Sequence, residues 1–315
     1  MGNRYFFGYI IQSPVTIIVI FSMMLVISSC QQPSALLQGK GLKVVATSSL
    51  VGDVVSQVGG DKIQLEVLLP LGTDPHSFSP TPRDASIIAD AAIVFANGVG
   101  LEEFLKPLMD NIGGASKVLE VSQGIVYRSL VEQGSHSNLP TDDPHTWMDP
   151  NNVVIWVDNI VGALSNEDPA NKAYYVEHGQ NYQAKLKDLD SWIRAQVSII
   201  PEQNRRLVTD HLIFGYFADR YGFMQVGAII PGFSSLAEPS AQDIAQIEDA
   251  IHSMGVKAIF INVGVNVNIA QRIANDTGTQ IVLLYMESLS DKGIGADNYL
   301  DFMHYDVNQI VNALK

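Results

Sequence analysis

Two short stretches constrain this chain more than any other feature: residues 72–80, GTDPHSFSP, and residues 142–150, DDPHTWMDP. Each carries an Asp-Pro-His triplet followed by an aromatic residue and a second proline. Proline fixes its own φ and denies the residue before it the helical region, so the backbone around each histidine is stiff. A stiff, polar, loop-borne histidine is what a metal site needs and an ordinary apolar core does not. One such triplet alone is a turn. Two of them, joined by a third histidine and a carboxylate in comparable positions, point to a chain organised around one metal ion.

The beginning of the chain is set apart from the rest. Arg4 precedes the apolar run of residues 14–27, PVTIIVIFSMMLVI, which gives way to Ser28, Ser29 and Cys30. A positive start, an apolar middle and small residues before a cut make residues 1–29 a secretory signal. The competing reading is a membrane anchor, since residues 5–27 are long enough to span a bilayer. Cys30 is the only cysteine, so disulfides cannot staple the fold. The run Ile27-Ser28-Ser29-Cys30 resembles a bacterial lipobox, in which Cys30 is lipidated and begins the mature protein. Residues 30–40, with QQPSALLQGK, then serve as a polar tether. A net charge of −14 argues against nucleic acid as a partner. It is compatible with collecting cations, though many exported proteins are equally acidic.

Beyond the tether, short apolar runs alternate with helical patterns. Strands are expected at 42–47, 63–69 (with Leu65, Val67 and Leu69 alternating), 91–96 and 117–121, separated by helices through 50–58, 83–89 and 101–109. Residues 128–146 form a polar loop without periodicity. Asp149-Pro150 then opens a helix, and residues 169–199 give the longest helical pattern, about 45 Å at the α-helical rise. The style of the first half returns in the second. Strands are expected at 206–209, 223–230, 256–263 and 280–285, and helices over FGYFADRYG, 240–254, 267–276 and 299–314. Alternation of this kind implies parallel strands with crossover helices. The fold class is α/β: a lobe at 41–167, a linking helix at 168–201 and a lobe at 202–315, each lobe holding a mostly parallel sheet flanked by helices.

On that map His76 and His211 each follow a strand and precede a helix, Glu287 lies just beyond a strand, and His145 lies in a loop just before one. Open parallel sheets bind ligands outside the carboxyl ends of their strands, and two residues from each lobe would meet in the cleft between lobes. Three imidazoles and one carboxylate suit a first-row divalent ion, zinc first where the geometry is tetrahedral. Each residue has a bland alternative: a turn histidine at His76 or His145, a helix-start histidine at His211, a capping carboxylate at Glu287. His136 in the polar loop reads as solvent-exposed, and His178, His252 and His304 fall within helical patterns. Phe214, Tyr216, Phe217 and Tyr221 read as core and cleft wall. Asp74 and Asp142 read as turn-forming. A zinc hydrolase would need an open coordination position and a general base; the chain has no HExxH and no spare carboxylate beside the ligand motifs.

The lipobox, TDPHSFSPTPRD, DDPHTWMDP, VTDHLIFGYFADRYG, AEPSAQD and the closing LLYMESLS and YLDFMHYDV resemble the TroA-like, cluster A-I metal-binding lipoproteins. Those are the solute-binding subunits of ABC importers for zinc or manganese, and the likeness spans nearly all of the mature chain in the right order. The resemblance implies two α/β lobes bridged by one long helix, with the four ligand positions on His76, His145, His211 and Glu287. Manganese members resemble one another in having glutamate third and aspartate fourth. Three histidines with a glutamate look like the zinc-binding, laminin-adhesin-type members. Asn262 stands where many relatives carry glutamate and is assigned no ligand role. The resemblance further implies a monomeric, non-enzymatic lipoprotein, anchored outside the cytoplasm on the periplasmic side or the cell surface. It would hand Zn2+, or alternatively Mn2+, to a permease with its ATPase. Some relatives are described as adhesins, a role that no motif here marks.

Overall fold

The structure, a computed structural model, describes residues 1–2, 41–113, 117–130, 140–233, 235 and 238–315. The expected signal, Cys30, the tether and His136 lie outside these residues. Gly41–Lys315 form one compact unit. Among the described residues no helix is long and apolar enough to cross a membrane.

The first lobe holds a four-stranded parallel sheet in the order β2-β1-β3-β4, formed by β1 (Leu42–Ala46), β2 (Ile63–Val67), β3 (Ile93–Ala96) and β4 (Val118–Glu120). Helices α1 (Ser49–Gly59), α2 (Pro82–Asp90) and α3 (Leu105–Ile112) make the crossovers. Ser48 caps α1 by accepting from the Val51 amide, and Thr81 with Asp84 forms a reciprocal capping box on α2. Two expectations shift here. β2 is an edge strand: Ile63 and Leu65 are only partly buried against the core and Val67 is 41% exposed, while Leu68 and Leu69 bury beyond the strand's end. The helix expected from 101 starts at Leu105, because the buried Glu102 carboxylate turns back to accept from the Asn97 and Gly98 amides and the Thr47 hydroxyl. Those bonds hold the segment as a turn.

The polar loop contains a short antiparallel pair, β5 (Ser129–Leu130) with β6 (Thr141–Asp142), which periodicity could not reveal in strands of two residues. Next come α4 (Pro150–Glu167), capped by Asp149, and α5 (Lys172–Val197). The linking helix is shorter than expected because Pro169–Asn171 form a 3₁₀ turn before it. Its 26 residues span about 39 Å. Tyr175, Gly179, Tyr182, Leu186, Leu189, Ile193 and Val197 form its buried stripe. At Gly179 an added Cβ would stand 2.5 Å from Val161, so glycine permits the close packing of α5 on α4.

The second lobe repeats the plan with order β10-β9-β7-β8: β7 (Arg206–Thr209), β8 (Met224–Ala228), β9 (Ala258–Asn262) and β10 (Gln280–Leu284), all parallel. Its helices are α6 (Gly215–Tyr221), α7 (Ala241–Met254), α8 (Asn268–Thr277) and α9 (Tyr299–Leu314). Helix α5 packs against α1, α4 and α9. One hydrophobic core therefore runs through both lobes, from Val44 through Trp156 and Leu186 to Phe302 and Leu314, with a smaller cluster on the outer face of each sheet. Asp190 of α5 accepts from Arg220 and Tyr221 of α6, bolting that helix down as well. Opening the lobes as rigid bodies would tear this shared core, at roughly 1.5–3 kcal/mol for each large side chain exposed. Movement is cheaper in the loops.

Candidate metal centre

Four loops converge where the two sheets present the carboxyl ends of their strands. His76 lies in the loop after β2, His211 after β7 and Glu287 after β10. His145 precedes a 3₁₀ turn (Thr146–Met148) and α4 rather than a strand. Their ligand-capable atoms all lie within 4.8 Å of one another, the group of this kind found among the described residues. The Nε2 atoms of His145 and His211 are 3.3 Å apart. Glu287 Oε1 lies 3.6 Å from His76 Nε2 and 3.5 Å from His211 Nε2. In a tetrahedron with metal–ligand bonds of about 2.0–2.1 Å, donor atoms sit roughly 3.3–3.4 Å apart. Three edges already have close to that length.

Two of these atoms, His76 Nε2 and Glu287 Oε1, are buried without a hydrogen-bond partner. Unpaired buried polar atoms cost stability, and converging ones call for a cation between them. The donor set, three imidazole nitrogens and a carboxylate oxygen, fits a first-row divalent ion.

The supports behind the ligands are unequal. His145 Nδ1 meets Asp143 Oδ1 at 2.8 Å, and the same oxygen accepts from the His145 amide at 3.0 Å. Arg128 and Tyr216 brace Asp143 in turn: the guanidinium donates to Oδ2 at 3.1 Å and the phenol to the backbone carbonyl at 3.0 Å. In the other lobe His211 Nδ1 meets Asp210 Oδ1 at 2.9 Å, while Asp210 Oδ2 accepts from the Asn262 amide at 2.8 Å. A carboxylate on Nδ1 fixes the tautomer and leaves Nε2 free to bind metal. Among the described residues no such bond serves the His76 ring. Asp74 instead accepts from the His76 amide at 2.7 Å and from the Ser235 hydroxyl, as a turn residue would.

Further bonds cross the cleft. Trp147 Nε1 donates to the Met286 carbonyl at 2.9 Å, and Tyr299 Oη to the Trp147 carbonyl at 2.7 Å, tying the loops of His145 and Glu287 together. Gly72 N donates to Ser288 Oγ at 2.9 Å, with Gly72 at φ +74°, a turn that disfavours any side chain. Asn97 donates to the Pro144 carbonyl at 2.9 Å and so carries the Glu102 turn to the His145 loop.

Protonation differs across the site. Burial, and then the nearby imidazoles of His145 and His211, hold His76 down at about 2. Burial also lowers His145, against the pull of Asp143. Burial works to lower His211 too, but the Glu287 and Asp210 carboxylates outweigh it and lift this imidazole to about 9. Burial, joined by Asp74 and Asp210, raises Glu287, with His211 pulling the other way. Without metal, His211 is therefore held protonated and Glu287, raised to about 7, is only partly ionised at neutral pH.

Asp143 and Asp210 carry no ligand signal in the sequence, although both stand within two residues of a histidine; the turn-forming carboxylate expected at Asp142 belongs to β6 instead. His178 stacks on Tyr174 and His304 meets Trp192 edge-on, away from the centre. Phe214, Tyr216, Phe217 and Tyr221 are buried in the shared core.

Residues 44–313 match the family described as the zinc-uptake complex component A, periplasmic. The manganese-binding lipoprotein MntA of Halalkalibacterium halodurans is 33% identical over 277 residues, which cover 88% of this chain and 89% of that protein. Among solved structures, the manganese-bound periplasmic metal-binding protein of Candidatus Liberibacter asiaticus has a TM-score of 0.77 at 26% identity, covering 87% of this chain and 100% of that one. The periplasmic zinc-binding protein TroA of Treponema pallidum has a TM-score of 0.78 at 26% identity, covering 87% of this chain and 99% of its own.

Proposed function

This chain belongs to the family of the periplasmic zinc-uptake complex component A, and from that footing we propose that it captures zinc at His76, His145, His211 and Glu287 for import. It is the substrate-binding component of a metal ABC transporter, and its family and relatives are solute-binding proteins rather than enzymes. The hydrolase reading is thereby set aside. A permease and its ATPase are the partners such a component serves.

The observation that carries zinc is the donor set: three imidazoles with a carboxylate that turns a single oxygen toward them. Nitrogen-rich, four-coordinate sites suit zinc, whereas manganese takes oxygen donors and more of them. Manganese is the second reading, favoured by the relative named manganese-binding and by the manganese-bound structure. Capture replaces the hydration shell of the ion with four protein ligands, and the cleft buries them: His145, His211 and Glu287 are each at most 3% exposed. Because α5 and the shared core hold the lobes together, release proceeds by movement of the loops. We further propose that the compact unit acts as a monomer outside the cytoplasm, tethered through lipidated Cys30, and that its lobes divide at 41–167 and 202–315.

Metal analysis of the domain from Gln31 onward, with zinc and manganese in competition, tests this reading. One equivalent of zinc, weakened by alanine at each of the four positions, is expected. Preferential uptake of manganese would overturn the assignment of the ion, and absence of any stoichiometric metal would overturn the site.

A further inference from the structure

The side chain of Asn262, at the end of β9, reaches the metal centre without belonging to it. Its Oδ1 accepts from the Met286 amide at 3.1 Å and its Nδ2 donates to Glu287 Oε2 at 3.0 Å. The amide orientation is fixed by chemistry: a backbone N–H can only donate, so the oxygen must face Met286 and the NH₂ must face Glu287. The carboxylate is divided as a result. Oε2 is occupied by Asn262, whereas Oε1 turns toward His76 and His211 and has no hydrogen bond. The backbone of the same residue holds Asp210, which orients His211. One residue thus positions both ligands of the second lobe.

We propose that Asn262 is a specificity-determining positioning residue: by holding Glu287 Oε2, it limits that carboxylate to one metal bond and keeps the centre four-coordinate. The inference rests on the four-ligand reading above. Zinc is satisfied by four ligands in a tetrahedron, while manganese favours an octahedral, oxygen-rich shell. A glutamate free to turn would offer its second oxygen and relax that preference. Asn262 therefore acts against ions that need more than four ligands, without touching any ion itself.

Two variants separate this role from simple support of the loop. Asn262→Asp keeps the acceptor for the Met286 amide but removes the donor to Glu287, and Asn262→Ala removes both. Each is loaded with Co2+, whose visible absorption is intense in four-coordinate sites and weak in higher coordination, and each is titrated with Zn2+ and Mn2+. The wild type is expected to give the intense four-coordinate spectrum. Both variants should lose much of that intensity, and the ratio of zinc to manganese affinity should fall by roughly ten- to a hundredfold, the usual scale for a group behind a metal ligand. Equal loss of affinity for all three ions with an unchanged Co2+ spectrum would overturn the inference, as would variants indistinguishable from wild type. If the wild type takes up neither Co2+ nor Zn2+, or if Glu287→Ala leaves uptake unchanged, the four-ligand reading itself has failed.

Discussion

The tripeptide Asp-Pro-His occurs twice, and the structure uses it in two ways. Around His145 the aspartate grips the imidazole of its own motif, Arg128 and Tyr216 brace that aspartate, and His145 is fully buried. Around His76, among the described residues, the aspartate grips only backbone and Ser235 across the cleft, and the imidazole has no carboxylate behind it. The motif stiffens the backbone in both places. What differs is the surroundings: the first loop follows an edge strand, whereas the second runs into the capped helix α4 in the shared core. One motif holds its imidazole through a carboxylate, and the other holds only its loop.

Removing ligands should break this contrast most visibly. Structural zinc sites are worth about 10–16 kcal/mol over four ligands, so one deep ligand should account for roughly 3 kcal/mol. His145→Ala or His211→Ala is expected to weaken zinc binding on the order of a hundred- to thousandfold, and His76→Ala about tenfold less than either. Equilibrium competition with a chelating dye measures both. Equal losses at all three histidines would erase the distinction between the halves.

The aspartates sharpen it further. Asp143→Asn should cost about ten- to a hundredfold in zinc affinity, because the His145 tautomer is no longer fixed. Asp74→Asn should change affinity by less than about threefold while accelerating dissociation, as seen in stopped-flow transfer to a chelator. Equal effects on affinity would show that the two motifs work alike.

Proton release comes next in size. The raised His211 is protonated at pH 7 and must give up that proton to bind metal, so binding should release about one proton and strengthen with pH up to about 9. Through neutrality and below, Glu287, raised to about 7, takes up a second proton, and affinity should fall more steeply. The window lies higher than the ordinary histidine pKa near 6.5 would place it. Calorimetry in buffers of different ionisation enthalpy counts the protons; no release between pH 7 and 8 would contradict the pairing of His211 with Glu287. The smallest effect belongs to Ser288→Ala, which removes the acceptor for Gly72 N across the cleft, worth about 1 kcal/mol. Faster amide exchange in residues 71–78, with little change elsewhere, is the expected sign.

Much of this was legible in the chain. Strand–helix alternation gave the two parallel sheets, since crossover connections leave few alternatives. Proline-flanked histidines marked His76 and His145, and the carboxyl-end rule gathered His211 and Glu287 with them. Orientation was not legible. Nothing in Asp-Pro-His says whether the aspartate will hold a ring or a backbone amide, because burial and neighbours from the opposite lobe decide it. The same holds for Asn262, whose side chain acquires a role only when β9 and the loop after β10 lie side by side. The pH window was hidden likewise, since the carboxylates that lift His211 come from three separate loops.

One ion held by three imidazoles and one carboxylate oxygen would have a distinctive coordination shell. Zinc K-edge X-ray absorption on the zinc-loaded protein measures that shell directly. Four nitrogen or oxygen neighbours at about 2.0 Å, with the multiple scattering of three imidazoles, are expected. A six-coordinate, oxygen-rich shell, or one with fewer than three imidazoles, would contradict it.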